Sequence, residues 1–429
     1  MKPVKTLLPL VGILFFHHAL FAQLIVGTQI RPRAEFRNGF KTLTEEGRDP
    51  AFFIEQRSRL FADYKAGPFQ VKINFQDVRI WGSTSQIYKS DPTLTNIYEA
   101  WGLYHFNPKW SVKIGRMDLD YDNARFLGDL DWAAQGRSHD AFLISFKNDS
   151  SDLRLDVGGA FNQIGFEPTK LSETFYAGVN NYKTMQFAWL HKKFAGAKLS
   201  MLIHNDGRQV ASDSSLAMRQ TYGLIGSGKV AGLDVGGEFY FQGGKNGADT
   251  DVSAFLVSAY ATIKTGITPL TLGFDYVSGT SVNDNKDKSF NPLYGTNHKF
   301  YGYMDYFYVG NAHGQQGNIA GLLDVHVKTR FKTGAKSSLV ANTHIFNSAA
   351  ELYNPTDADQ SESKYLGTEV DLVFNMNPDK NVNFNLGYSQ MFAGASMELV
   401  KATPGDHTSF NNWVWLMINF NPTIFTSDR

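Results

Sequence analysis

Arg31-Pro32-Arg33-Ala34-Glu35-Phe36-Arg37 and Glu55-Gln56-Arg57-Ser58-Arg59-Leu60 carry charge on every second residue. Ile30, Pro32, Ala34 and Phe36 alternate with the charges in the first stretch. Ile54, Ser58, Leu60, Ala62 and Tyr64 do so around the second. A period of two is the signature of a β-strand, whose successive side chains point to opposite faces. One face is then apolar and the other charged. Ten of the fifteen arginines lie between Arg31 and Arg137. Repeated along a chain, this pattern suits a barrel with lipid outside and water inside.

Composition agrees with that reading. The chain has 429 residues, no cysteine, 14% aromatic residues and 39 glycines. Aromatic girdles and tight turns use such a supply. Residues 1–22 read as a secretory signal: Lys2 and Lys5, an apolar run from Leu7 to Phe16, then Ala22 before Gln23. Leu20 at the −3 position is larger than usual, which leaves the cleavage site open by a few residues. Removing Lys2 and Lys5 leaves 39 basic against 41 acidic residues, so the mature chain is about neutral. That excludes the net basic domain expected of a nucleic-acid binder. After residue 22 no segment approaches the ~18–20 apolar residues of a spanning helix. A membrane-spanning form must therefore be a closed barrel, the other fold that satisfies every backbone hydrogen bond in lipid.

Eighteen strands are predicted, near 24–36, 52–65, 69–81, 95–106, 110–120, 139–148, 152–162, 183–194, 197–206, 217–230, 233–243, 251–264, 268–279, 319–333, 336–347, 363–376, 380–392 and 410–420. Short connections such as Gly67-Pro68, Ala195-Gly196, Ala231-Gly232 and Asn377-Pro378-Asp379 alternate with long polar ones, the longest being 280–318. This is the alternation of short periplasmic turns and long outer loops. Phe300–Val309 also alternates, but as a strand it would break the pattern and make the number odd. It is expected inside the long loop 280–318, folded inward or packed at the rim. Residues 23–429 then form one all-β domain. Its eighteen strands are wide enough for an aqueous channel.

Arginines facing the lumen would attract anions and pair with acids such as Glu35, Glu55, Glu99 and Asp140. The alternative is that inward charges only neutralise one another and keep the lumen wet. A second polar face, with Arg154, Asp156, Glu238, Asp324, His326, Lys328, Arg330, Glu369 and Asp371, is of mixed sign and fits the latter. Trp101, Trp110, Trp189, Trp413 and Trp415 near strand ends suggest interfacial anchors. A lumen-facing one such as Trp101 could instead stack on carbohydrate. Ser138-His139-Asp140 is no catalytic triad, because neighbours on a strand face opposite ways. The eleven histidines show no metal-ligand spacing. Asp118, Asp120, Asp122, Asp129 and Asp131 lack the rest of a calcium loop.

Gly115-Arg116, Arg125-Phe126-Leu127-Gly128, Asp131-Trp132, and Gly136-Arg137 with Asp140 together resemble the alginate-export family of outer-membrane porins. Arg31-Pro32-Arg33-Ala34-Glu35, Glu55-Gln56-Arg57-Ser58-Arg59, Gln76-Asp77-Val78-Arg79 and Leu293-Tyr294-Gly295-Thr296-Asn297-His298-Lys299-Phe300 add to the resemblance. It implies a monomeric eighteen-stranded barrel in the outer membrane of a Gram-negative bacterium. It also implies an electropositive constriction that passes an anionic polysaccharide. No cofactor or enzymatic activity is implied, and the partners are membrane lipid and an anionic solute. The expected lumen path comprises Arg31, Arg33, Glu35, Glu55, Arg57, Arg59, Arg79, Glu99, Arg116, Arg125, Arg137 and Asp140. Arg116 belongs there only if a bulge near Gly115 reverses the parity of its strand. A general porin, or a barrel closed by loops 121–138 and 280–318, remains the alternative. Phe425 is followed by four further residues, whereas such barrels usually end on an aromatic one.

Overall fold

The computed structural model describes residues 22–83, 95–163, 176, 181–401 and 405–427. Residues 1–21 of the expected signal, and most of the 82–94 and 163–182 loops, lie outside the described residues.

The wall strands are β1 (Ala22–Asn38), β2 (Ala51–Ala66), β3 (Phe69–Ile80), β4 (Thr95–His105), β5 (Trp110–Met117) and β6 (His139–Asn148). Next come β7 (Leu153–Phe161), β8 (Thr184–Phe194), β9 (Ala197–Gln209), β10 (Leu216–Val230), β11 (Leu233–Lys245) and β12 (Asp251–Lys264). The last six are β13 (Pro269–Val277), β14 (Leu322–Lys332), β15 (Ser337–Asn347), β16 (Tyr365–Asp379), β17 (Val382–Ala393) and β18 (Asn411–Phe420). Each pairs antiparallel with its sequence neighbours, and β18 pairs with β1, closing an 18-strand barrel within one chain. Closure leaves no strand edge unpaired in lipid. Thr423–Thr426 continues β18 along β1, and Leu24 and Ser427 exchange bonds of 2.8 and 2.9 Å. Two of the four residues after Phe425 therefore extend the wall. The turn expected at Asn377-Pro378-Asp379 falls later, at 380–381, because β16 runs on to Asp379.

Alternation sorts the two faces. Ile30, Leu60, Phe75, Ile114, Phe142 and Ile203 are exposed on the outside, where lipid covers them. Phe69, Tyr104, Phe106, Trp110 and Phe146 form an outward aromatic group at the short-turn end, with ring centroids 4.9–5.3 Å apart. The interfacial expectation holds for Trp110 and fails for the other four tryptophans. Trp101, Trp189, Trp413 and Trp415 fall on the inner parity and are buried.

The hydrophobic core sits inside the barrel. Loops 118–138, 278–321, 394–401 and 39–50 fold inward and bury Phe126, Leu127, Phe290, Tyr294, Tyr301, Phe307, Met397 and Leu43 against one another. Each such side chain contributes about 2 kcal/mol of burial, which holds long loops in place against their chain entropy. Phe300–Val309 is part of this packing and is not a wall strand, as its loop lengths require.

Candidate functional site: the loop-filled lumen

Arg31, Arg33 and Arg57 face inward, yet each is at most 6% exposed. They meet the inward loop rather than water. Arg31 Nη1 donates to the carbonyl of Asp131 (2.7 Å), and its Nη2 to those of Trp132 and Ala133 (3.2 Å each). Arg33 Nη1 donates to the Trp132 carbonyl (2.8 Å), and its guanidinium lies 4.1 Å from the Trp132 ring centre. Arg57 Nη2 donates to Asp131 Oδ1 (2.7 Å), and Arg59 Nη1 lies 3.6 Å from the same oxygen. Burial opposes ionisation of Asp131, but Arg57 and Arg31 outweigh it and hold the carboxyl below its usual range. The β1–β2 arginine ladder is thus a clamp on the segment Asp131–Ala133.

The acids complete that clamp. Glu35 accepts from Arg33 Nε (2.8 Å), Arg37 Nε (2.8 Å) and Trp413 Nε1 (2.9 Å). Glu55 is paired with Arg33. Glu99 takes Lys72 (2.6 Å) and Trp101 Nε1 (3.0 Å). Beside it, the β3–β4 register shifts so that Tyr98 has no partner on β3. The bulge turns Tyr98 inward, where Arg59 stacks on it at 3.6 Å. Plain alternation along 95–106 misses this turn.

Arg125 lies at the tip of the inward loop and reaches the opposite wall. It is 3% exposed and bonds Asp275 (2.6 Å), Ser258 (3.2 Å) and the Tyr301 hydroxyl (3.0 Å). Glu238 is 3.6 Å away, and the Phe300 ring lies 3.6 Å from the guanidinium. It is a strut across the lumen, not a residue lining water. Arg137 ties the loop to its neighbour through the carbonyls of Gly295 (2.9 Å) and Gly128 (3.3 Å). Gly128 N–H donates to the Tyr294 carbonyl (2.8 Å), and Thr296 N–H to that of Ala124 (2.9 Å). The two loop motifs therefore dock on each other. Gly295 is needed there, since a Cβ would collide with the Arg125 carbonyl oxygen.

Three expected lumen residues are corrected. Arg79 pairs across from Gln56 and Asp77 from Ser58, all on the outward parity, and Arg79 grips Asp77 with two bonds of 2.6 Å. At Gly115 the β5 pairing runs unbroken on both sides, so no bulge reverses the parity. Arg116 stays on the face of Ile114 and Phe142, paired with Asp140 at 3.0 Å, both exposed. Arg79, Arg116 and Asp140 therefore belong to the outer rim.

Of the exposed cations that line the lumen at the short-turn end, Arg154 was on the expected second polar face and the four lysines were missed. A cavity of about 520 Å³ at the short-turn end is lined by Lys109, Lys147, Arg154, Lys193 and Lys198. Three carboxylates share it, Asp120, Asp122 and Asp156. Two of these are engaged: Asp122 by Trp189 Nε1 (2.9 Å) and Ser200 (2.5 Å), Asp156 by the Tyr121 hydroxyl (3.1 Å). Lys147 also bonds Asp149 at 2.9 Å. Extending the inside–outside count to lysines near the short turns would have found this wall.

A closed eighteen-strand barrel with outward lipid face, short turns at one end and a loop-narrowed polar lumen is an outer-membrane channel of the porin type. The chain belongs to the alginate export family, whose pattern matches residues 22–409. Similar solved structures are outer-membrane proteins. OpdK of Pseudomonas aeruginosa is 11% identical, with TM-score 0.59, covering 95% of this chain and 99% of that one. A BenF-like porin of Pseudomonas fluorescens Pf-5 is 13% identical, with TM-score 0.59 and coverages of 94% and 99%. OccK8 (OprE) of Pseudomonas aeruginosa is 10% identical, with TM-score 0.61 and coverages of 94% and 98%. At these identities the likeness concerns the fold. No curated protein matches.

Proposed function

We propose that this channel passes anionic solutes, and that oligo- or polysaccharides bearing carboxylates are the class its wall suits best. The observation that carries the proposal is the set of exposed cations at the short-turn end, five against three carboxylates. In a wet, narrow lumen such a wall raises the local anion concentration while each contact stays weak enough to release the passing group. The family description, alginate export, points to the same solute class. The β1–β2 arginines serve this function indirectly, by fixing the loop that narrows the path.

Reversal potentials in planar bilayers test the proposal. We expect an anion-selective pore whose preference falls toward unity in a Lys147→Ala, Lys193→Ala, Lys198→Ala variant. Added oligouronate should produce transient current blocks that the variant shortens. A cation-selective pore would sink the reading. The inward aromatic packing supports a second reading, a barrel shut by its loops. A wild type that never conducts while Arg57→Ala plus Arg59→Ala conducts would favour it.

A further inference from the structure

Asp324 and His326 stand two residues apart on β14 and so share its inner face. His344 on β15 is paired directly across from His326. One donor atom from each of the three lies within 4.8 Å of the others. His344 Nδ1 is 2.8 Å from Asp324 Oδ2, and His326 Nδ1 is 3.7 Å from that same oxygen. Exposure is 0% for Asp324, 1% for His344 and 8% for His326.

Hydrogen bonding alone leaves this cluster unfinished. His326 Nδ1 is beyond hydrogen-bond reach of Asp324 and has no other partner among the described residues. His344 Nε2 and Asp371 Oδ2 face each other at 3.9 Å, both buried and both without a hydrogen-bond partner. Buried polar atoms left unpaired call for an explanation, and where two imidazoles and a carboxylate converge a bound ion supplies one.

We propose that Asp324, His326 and His344 form a binding site for a divalent transition-metal ion in the lumen wall. Zinc-type ions bind imidazole nitrogen and carboxylate oxygen at about 2.0–2.2 Å, which places neighbouring ligand atoms about 3–4 Å apart. The 3.7 Å separation falls within that range and the 2.8 Å one lies just short of it. With the ion on both Nδ1 atoms, His344 Nε2–H points at Asp371, the carboxylate–histidine–metal arrangement that orients a ligand. Ser389 steadies Asp371 from the next strand, donating to Oδ1 at 2.5 Å. Two imidazoles and one carboxylate select zinc, nickel or copper over calcium or magnesium, which need more oxygen ligands. Three protein ligands leave a coordination position for water or for a passing carboxylate.

The experiment uses the full barrel in detergent, stripped with chelator and titrated with zinc(II) by calorimetry. We expect one saturable ion per chain, lost in the His326→Ala, His344→Ala double variant. Asp371→Asn should weaken binding about 10–100-fold. Zinc K-edge absorption on the wild type should count two histidine nitrogens, a measurement that needs no variant to fold. His407→Ala, in the exposed Glu398–Asp406–His407 group, should leave binding unchanged. No saturable binding, binding that survives the double variant, or binding lost in His407→Ala would overturn the proposal.

Discussion

Arg57, on the barrel wall, donates to Asp131 Oδ1 at 2.7 Å and to the Asp131 carbonyl at 3.2 Å, so the wall grips the very loop that fills its lumen. The same aspartate is reached by Arg31 and Arg59. Asp131→Ala should release this grip without removing any wall residue. Single-channel records are expected to show larger and noisier current steps, with anion preference unchanged or raised. Quiet, wild-type steps would refute the clamp.

Arg125 sits between Asp275 and Glu238, and all three side chains are at most 6% exposed. Removing one member of a buried ionic group leaves its partners uncompensated, at a cost of about 3–5 kcal/mol. Arg125→Met should lower unfolding stability by that order in denaturant titrations. Adding Asp275→Asn should recover part of the loss, because one stranded charge disappears.

Gly295 packs against the Arg125 backbone with no space for a methyl group. Gly295→Ala should part the two docked loops while leaving strand pairing intact. Hydrogen exchange is expected to speed up in 124–137 and 293–300 and to stay slow in β10–β13. Unchanged loop protection would show that the backbone accommodates the methyl.

Lys401, between loops, donates to the carbonyls of Tyr306 and Ala312. Burial, and then the charge of Lys41, push its pKa down to about 7, and His313 feels the same ammonium. An unfolded lysine titrates near about 10.4. Between about pH 7 and 10 the unfolded chain therefore holds the extra proton, and stability from this site rises with pH. Below about pH 7 the penalty is complete. Thermal melts from pH 6 to 9 should rise more steeply for the wild type than for Lys401→Met, which should be the more stable at pH 6.

Much of the barrel was legible because its cause is local. Lipid and water on opposite faces impose a period of two, and alternating loop lengths expose the strand count. The inward fate of Phe300–Val309 followed from that parity. What a single strand cannot show is what approaches it from elsewhere. Arg31 and Arg57 read as water-lining residues, yet the loop 118–138 covers them. Trp413 reads as an anchor until its indole is seen donating to Glu35. Asp324-x-His326 looks like an ordinary polar alternation until the register brings His344 opposite.

A lipid-facing barrel, the inner parity of its β1–β2 charges and the family motifs of its loops can all be read from the chain, since each rests on neighbours within a strand or turn. Which charges meet water is set by long-range packing. That outcome depends on the path of long loops through the lumen and on the register between strands, where residues far apart in the chain compete for the same arginines. It moved the exposed positive wall from the arginines to Lys109, Lys147, Arg154, Lys193 and Lys198, and made the arginines the support of the constriction.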